Sequence, residues 1–248
     1  MDEYSLIADF HKVGQRQGPG STEMTLKALS FIPNLANLAK VLDLGCGTGA
    51  QTLALAQGTN AHITAVDFLP EFLGILRETI CREKLQERIQ PIQASMLDLP
   101  SRENEFDLIW AEGSIYNMGF AKGMQKLRKF IRLGGCIGVT EISWITGKRP
   151  REIEEYWTKN YDEIGTVSQK VAVIEACGYL PLAHFVLPEE CWLGNYYCPL
   201  EERFEDFADK HQRSAEVMQF IEREKEEIEM YRRYKDYYSY VFYIAQKK

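Results

Sequence analysis

One run of nine residues, VLDLGCGTG from Val41 to Gly49, constrains the fold of this chain more than any other segment. Apolar residues lead into three glycines at alternate positions, Gly45, Gly47 and Gly49. Glycine adopts positive φ angles and lets a ligand approach the backbone closely. The run therefore predicts a buried strand, a tight turn and a helix arranged around a bound ligand.

Strand-like and helix-like segments alternate after this point. The strand-like runs are 41–44, 63–67, 89–94, 106–111, 136–142, 180–187 and 238–245, and the helical runs between them are 50–57, 70–84, 120–131, 150–160 and 167–176. The strand-like runs are almost continuously apolar, which is typical of a parallel sheet covered by helices on both faces. The chain is therefore predicted to be a seven-stranded α/β protein.

The division of the chain follows from what surrounds this alternating part. About fifty residues separate the last two strands, far more than a hairpin connection needs. We predict one domain over 1–248, with N-terminal lid helices at 1–39, a ligand-binding core at 40–187, a helical cap at 188–237 and a final strand at 238–248. The charged helix at 215–235 within the cap is interpreted as a solvated surface.

Composition excludes several classes of protein. The net charge of −7 argues against an obligate nucleic-acid partner, because phosphate binding requires Lys and Arg. No apolar run approaches the roughly 20 residues that a membrane helix needs, and the first residues lack the apolar stretch of a signal peptide. The six cysteines form no CxxC pair. We therefore expect a cytoplasmic protein without nucleic-acid or membrane partners, with a homodimer as one option for its oligomeric state.

Two ligands fit the glycine turn at this stage. The turn also satisfies the dinucleotide pattern G-x-G-x-x-G/A, and Asp67 lies about twenty residues further on, as that pattern requires. However, Asp43 lies at the end of the preceding strand, and a carboxylate there suits a cationic ligand better than an anionic pyrophosphate. An NAD-dependent oxidoreductase therefore stays open as the less favoured alternative.

The segments 41–49, 65–68, 92–100 and 106–119 resemble the successive motifs of class I S-adenosylmethionine (SAM) methyltransferases. The resemblance is to the small-molecule branch that includes ubiquinone and menaquinone biosynthesis methyltransferases. It implies a Rossmann-like, mostly parallel seven-stranded sheet with an antiparallel last strand and a helical insert between strands six and seven. It also implies SAM as the cofactor and methyl transfer to a small-molecule N, O, S or C nucleophile by in-line displacement, with no metal.

The resemblance assigns the glycine turn to the methionine part of SAM. Gly45, Cys46 and Gly47 would pass under it, and Asp43 would receive its ammonium group, directly or through water. The polar loop 14–21 would close over the cofactor, with Gln15 as a donor to the methionine carboxylate, assisted by residues 21 and 22. The alternative for this loop is a plain connector.

The nucleoside part of SAM is assigned to later motifs. Asp67 would accept hydrogen bonds from both ribose hydroxyls, and Phe68 would pack against the adenine. Ser95 replaces the Asp that usually contacts the adenine amino group, and the Met96 backbone would read the ring. Glu112 follows the fourth strand at the lip where the cofactor and acceptor sites meet.

The acceptor site is expected beside this lip. Tyr116 and Glu141 are the catalytic candidates, although a strand-end carboxylate such as Glu141 equally serves to cap the following turn. Further pocket candidates are Asn117, Trp144, Trp192, Tyr196 and Tyr197. The alternative for the aromatic residues is that they pack the cap on the sheet.

Three other polar residues receive different interpretations. His184 falls inside the sixth predicted strand and is interpreted as a structural histidine. His11 is an outside candidate, because the N-terminal segment of this family often closes over the cofactor. Asp98 is interpreted as a loop carboxylate in solvent.

Two function classes remain beside the methyltransferase. A protein that keeps the SAM site but has lost catalysis is the main alternative to the methyltransferase, and the oxidoreductase is the third. The identity of the methyl acceptor is not defined by these motifs.

Overall fold

A computed structural model describes residues 3–35 and 39–248, which form one eight-stranded sheet with helices around it. The strands are β1 (Lys40–Leu44), β2 (His62–Asp67), β3 (Ile89–Gln93), β4 (Phe106–Ala111), β5 (Ile131–Trp144), β6 (Gly165–Thr166), β7 (Tyr179–Val186) and β8 (Tyr238–Lys247). The predicted lid segment 1–39 includes residues 1–2 and 36–38, which lie outside the described residues.

The helices occupy the segments between these strands. They are α1 (Glu3–His11), α2 (Thr22–Leu29), α3 (Ala50–Gly58), α4 (Pro70–Arg82), α5 (Phe120–Leu127), α6 (Arg151–Asn160), α7 (Val167–Ala176), α8 (Glu189–Trp192), α9 (Cys198–Glu201), α10 (Phe204–Lys210) and α11 (Ala215–Tyr234). A short 3-10 helix, Ile115–Met118, follows β4, and a π-helical turn, Leu193–Tyr197, joins α8 to α9. Ser21 caps α2 by accepting a hydrogen bond from the Met24 amide at 3.1 Å.

The sheet has the strand order β3-β2-β1-β4-β5-β8-β7, and β6 pairs with β5. Strand β8 runs antiparallel to both neighbours, while the pairs among β1 to β5 are parallel. The prediction of a mostly parallel sheet with an antiparallel last strand is therefore confirmed. Because the order reverses between β1 and β4, their carboxyl ends border a crevice, which is where open α/β sheets bind ligands.

Two details of the prediction were wrong. The helix expected at 120–131 ends at Leu127, and β5 begins at Ile131. The pairing of β4 with β5 shifts register between Phe106 and Leu108, so Gly134 and its neighbours form a bulge in β5 instead of ending a helix. The eighth strand, β6, was not predicted, because two residues carry no periodic pattern.

Helices cover both faces of the sheet, as predicted. One apolar cluster joins the sheet to α2, α3, α4 and α11, and a second joins it to α5 and α7. Within the described ranges, no helix is long and apolar enough to cross a membrane.

The N-terminal segment and the insert contact each other above the carboxyl edge of the sheet. The Gly20 amide donates to the Cys191 carbonyl at 3.2 Å, and the Asn195 side chain donates to the Gly20 carbonyl at 2.9 Å. Asp9 of α1 forms an ion pair with Lys210 of α10 at 2.6 Å. The predicted lid and cap therefore form one cover.

The fold positions the lip of the crevice through a close contact between β4 and β5. Trp110 and Gly138 are paired in the sheet, and the indole ring of Trp110 is fully buried. A Cβ atom at position 138 would collide with this ring. The glycine therefore makes room for the indole whose Nε1 donates to Glu112 at 2.8 Å.

We expect Gly138→Ala to lower the free energy of unfolding by about 1–3 kcal/mol, because the added methyl group overpacks a rigid ring in the core. Gly74→Ala is the matched control, since a Cβ at position 74 of α4 meets no atom within 4 Å. It is expected to stabilise the protein by about 0.5–1 kcal/mol. Urea unfolding of both variants measures the difference, and equal midpoints would contradict the proposed contact.

Candidate functional site

The glycine turn after β1 adopts the conformation that its sequence predicts. Gly45 and Gly47 have φ angles of 67° and 55°, in the left-handed region. The amides of Gly45 and Cys46 both donate to the Val66 carbonyl, at 2.8 and 3.0 Å. A Cβ on Gly45 would lie 2.5 Å from the Cβ of Ser114, so the turn is packed against the lip after β4.

Asp67 lies at the end of β2 and binds this turn. Its Oδ2 accepts a hydrogen bond from the Gly47 amide at 2.8 Å, and its Oδ1 accepts one from the Leu69 amide at 2.9 Å. Burial raises the pKa of Asp67, and the backbone hydrogen bonds oppose this rise. Phe68 beside it is 56% exposed, and its ring lies 5.8 Å from that of Tyr4 in an edge-to-face arrangement.

Asp43 is fully buried behind the turn. Its carboxylate accepts hydrogen bonds from the Thr52 hydroxyl at 2.5 Å and from the Gln51 side chain at 3.4 Å. Burial raises the pKa of Asp43 to about 7, and the nearby Glu112 carboxylate adds to the rise. Gln51 also donates to the Gly45 carbonyl at 3.1 Å. The structure thus places Gln51 between Asp43 and the space above the turn.

A cavity of about 60 Å³ lies above the glycine turn. It is lined by residues 16–19 of the N-terminal segment, by the turn residues 45–47, and by Gln51, Glu112 and Gly113. This volume is well below the roughly 300–1,000 Å³ of sites that hold a drug-sized ligand. A nucleoside ligand can therefore enter only when the N-terminal segment moves.

Glu112 joins the cover to the sheet. Its Oε2 forms an ion pair with Arg16 at 3.0 Å, and its Oε1 accepts hydrogen bonds from Thr25 at 2.6 Å and from Trp110 at 2.8 Å. The side chains of Arg16 and Glu112 are only 9% and 5% exposed. The predicted lip residue is therefore tied to the predicted lid by a buried ion pair.

The residues of the lid that reach the site differ from the predicted one. The structure places Gln15 on the surface, whereas Arg16 and Gln17 line the cavity. The Gln17 Oε1 accepts a hydrogen bond from the Thr48 amide at 2.9 Å. A loop without periodicity carries no sequence signal that distinguishes these neighbours.

The residues assigned to the adenine lie after β3. The Ser95 hydroxyl accepts a hydrogen bond from the Leu97 amide at 3.2 Å, so it stabilises its own turn. The Met96 methyl group lies 3.7 Å from a Cβ built on Gly45, which brings this loop to the glycine turn. Asp98 is exposed, in agreement with its interpretation as a solvent-facing carboxylate.

Glu141 forms a buried ion pair. Its Oε1 accepts hydrogen bonds from Lys170 at 2.6 Å and from Tyr161 at 2.7 Å, and the side chain is 1% exposed. Burial raises the pKa of Glu141, while Lys170 lowers it. The ion pair connects β5 to α7, and this arrangement favours the structural alternative over a general base.

Tyr116 follows β4 at the lip, and its side chain is 45% exposed. Its ring lies 6.3 Å from that of Tyr161, between ring centroids. Asn117 is exposed and donates to the Ser114 carbonyl at 3.0 Å. Of the two catalytic candidates, Tyr116 is thus the one that is exposed, although burial around its hydroxyl raises its pKa.

The aromatic candidates divide into two groups. Trp144, Trp192 and Tyr197 are 4%, 2% and 1% exposed, so they pack the cap on the sheet as the alternative interpretation states. Tyr196 is half-buried and stacks on His11 of α1 at 6.2 Å. His184 lies in β7 opposite Tyr243 and is exposed, so its interpretation as a structural histidine stays a prediction.

Two carboxylates of the charged helix α11 were misinterpreted. Glu224 and Glu227 are half-buried, and the Glu227 carboxylate accepts a hydrogen bond from the Tyr197 hydroxyl at 2.8 Å. They continue the stripe of buried residues that includes Phe220 and Tyr231 at helical spacing. This spacing was the available signal, and it was hidden among many exposed charges.

Residues 41–135 match the protein family described as methyltransferase domain. The matched segment runs from β1 to the start of β5 and includes the glycine turn, Asp67 and Glu112. The family that the motifs indicated is therefore confirmed for this segment.

Two curated relatives are similar over the same part of the chain. Methyltransferase GfsG of Streptomyces halstedii is 31% identical over 104 residues, which are 42% of this chain and 37% of that protein. A demethylmenaquinone methyltransferase of Clavibacter sepedonicus is 30% identical over 105 residues, which are 42% of this chain and 41% of that protein. The chain thus spans less than half the length of these relatives.

A solved structure is similar over the whole fold. The SAM-dependent methyltransferase of Geobacter sulfurreducens, in complex with S-adenosylhomocysteine (SAH), has a TM-score of 0.84 at 14% identity, with 98% of both chains covered. The Rossmann-like fold class is therefore confirmed.

The burial of Asp43 predicts a pH-dependent stability. Because its pKa rises from 3.8 to about 7 on folding, the folded state keeps a proton that the unfolded state loses in this range. The contribution of Asp43 to the stability of the fold is complete below pH 3.8, and it is lost as the pH rises through about 7. The free energy of unfolding of Asp43→Asn, relative to that of the natural protein, should therefore rise by on the order of 3 kcal/mol between pH 4 and pH 7.5.

Denaturant unfolding across this pH range measures the difference. Asp98→Asn is the matched control, because it removes a carboxylate that lies exposed on the surface. A stability difference for Asp43→Asn that does not change with pH would contradict the prediction that the folded protein keeps this proton.

Proposed function

We propose that the chain, whose residues 41–135 belong to the methyltransferase domain family, transfers a methyl group from SAM to a small-molecule nucleophile. The observation that carries this proposal is the polar cavity above the glycine turn, at the point where the strand order reverses. SAM supplies a methyl carbon on a positively charged sulfur, and the protein supplies positioning and exclusion of water.

The charges at the cavity complement the methionine part of SAM. Arg16 and Glu112 line the cavity as an ion pair, and a methionine group carries one carboxylate and one ammonium. We assign the carboxylate to Arg16 and the ammonium to Glu112, with Gln51 and Asp43 behind it. Exchange of one ion pair for two new ones leaves no buried charge without a partner.

The other assignments follow from the order of the loops. The turn residues Gly45, Cys46 and Gly47 would pass under the methionine part, and Asp67 would bind the ribose hydroxyls after exchange of its contacts. Phe68 would cover the adenine. Ser95 and Met96 remain proposed adenine contacts. In the role of donor to the methionine carboxylate, Gln15 is replaced by its neighbours Arg16 and Gln17.

The division of the chain is part of the proposal. The cover formed by the lid at 1–39 and the cap at 188–237 would open to admit SAM and close before methyl transfer. Tyr116 would contact the acceptor at the lip, and Glu141 would hold β5 and α7 in place around it. The final strand at 238–248 completes the sheet beside the core at 40–187.

The expected setting is the cytoplasm, with a small-molecule acceptor and without nucleic acid. The net charge of −7 and six free thiols support this setting. A homodimer stays a prediction.

The test of the function is turnover of SAM. Purified protein is incubated with SAM and a panel of amines, phenols, thiols and carbon acids, and release of SAH is measured. Release that depends on one acceptor class supports the enzyme. Tight SAM binding without release would favour the non-catalytic alternative, and NADH binding without SAM binding would favour the oxidoreductase.

Arg16→Gln is expected to weaken SAM binding about tenfold to a hundredfold, because a hydrogen bond to a charged group is lost. The affinity for 5′-methylthioadenosine, which lacks the amino-acid part, should not change. Isothermal titration calorimetry with both ligands measures this selectivity. An equal loss for both ligands would indicate that Arg16 only holds the cover closed.

A further inference from the structure

Two exposed aromatic rings meet beside the proposed cofactor site. Tyr4 of α1 is 64% exposed and Phe68, directly after β2, is 56% exposed, and their ring centroids lie 5.8 Å apart. Among residues 3–35 and 39–248, no other pair of contacting rings has both members exposed. Paired apolar rings that stay in water at the rim of a ligand site indicate a surface that the ligand covers.

The pair stands next to the group that is assigned to the ribose. Asp67 precedes Phe68 in the chain, and its carboxylate accepts a hydrogen bond from the Gly47 amide at 2.8 Å. Gly47 lines the cavity above the glycine turn, so Asp67 adjoins that cavity. In a nucleoside the base is bonded directly to the sugar. The base of a nucleoside whose ribose is held by Asp67 would therefore lie beside the two rings.

Phe68 is the fixed member of the pair. Its carbonyl accepts a hydrogen bond from the side chain of Gln93 in β3 at 3.3 Å, and the following Leu69 amide donates to Asp67 at 2.9 Å. Helix α4 begins two residues after Phe68. The backbone that carries this ring is thus held to the edge of the sheet on both sides.

Tyr4 is the movable member, because it belongs to the lid. The other end of α1 is anchored in the cap, where the ring of the buried Phe10 lies 4.9 Å from that of Phe207 and Asp9 forms its ion pair with Lys210. Exposed side chains change rotamer within picoseconds to nanoseconds. The ring of Tyr4 can therefore turn without disturbing the contacts that anchor the helix.

We propose that Tyr4 turns out of its contact with Phe68 and covers the adenine of SAM from the side opposite Phe68. This inference rests on the proposed SAM site and adds to it a binding residue from the lid. A base has a π-face on each side, so it offers both rings a stacked contact in place of their single edge-to-face contact. Binding of the base would then hold α1 closed over the cofactor.

The first experiment removes the ring. Tyr4→Ala should weaken binding of SAH and of 5′-methylthioadenosine by the same factor, about tenfold, because both ligands carry the adenine. Tyr4→Phe should keep both affinities, because it keeps the ring. This pattern differs from that of Arg16→Gln, which is expected to spare 5′-methylthioadenosine. Isothermal titration calorimetry with the full chain measures both ligands.

Two further variants separate stacking from other effects of the substitution. Tyr4→Leu supplies apolar surface without a π-face, so it should bind both ligands less tightly than Tyr4→Phe. Val13→Ala is the matched control, because Val13 is another exposed apolar residue of the lid and should behave like the natural protein. Thermal unfolding followed by circular dichroism confirms that each variant is folded.

The second experiment records the contact directly. On irradiation, 8-azidoadenosine forms a nitrene that bonds to side chains beside the base. After digestion with trypsin, Tyr4 lies in the peptide 1–12 and Phe68 in the peptide 41–77. Mass spectrometry should find the label on both peptides, and an excess of SAH should abolish it on both.

The outcomes separate this inference from the proposed function. If the natural protein binds SAH, then unchanged or tighter binding of 5′-methylthioadenosine by Tyr4→Ala overturns the role of Tyr4 and leaves the SAM site intact. Label confined to the peptide 41–77 has the same meaning. Failure of the natural protein to bind SAM, SAH and 5′-methylthioadenosine overturns the proposed function itself.

Discussion

The buried carboxylate of Glu112 is the interaction on which the site depends. It connects the lid through Arg16, helix α2 through Thr25 and the sheet through Trp110. An isolated buried carboxylate is costly, so its three partners are required together. The room that Gly138 leaves for Trp110 sets where one of these partners stands. The packing of two strands thus determines the position of a charge at the crevice.

The same cost explains why the cover is closed over so small a cavity. Separation of Arg16 from Glu112 breaks an ion pair whose side chains are only 9% and 5% exposed, and new partners compensate for that loss. A ligand with one positive and one negative group provides both partners, whereas a ligand with a single charge does not. A zwitterionic ligand is therefore expected to compensate for the loss of this ion pair better than a singly charged one.

Much of this arrangement was predictable from the sequence, and the limits have physical causes. The glycine turn, Asp67 and the parallel strands were predictable because each depends on local backbone needs or on apolar periodicity. The bulge at Gly134 was missed because register depends on the neighbouring strand. Arg16 was missed because a loop side chain finds its partner only in three dimensions.

The acidic residues of α11 show a different limit. Glu224 and Glu227 resemble their exposed neighbours in composition, and only their alignment with Phe220 and Tyr231 distinguishes them.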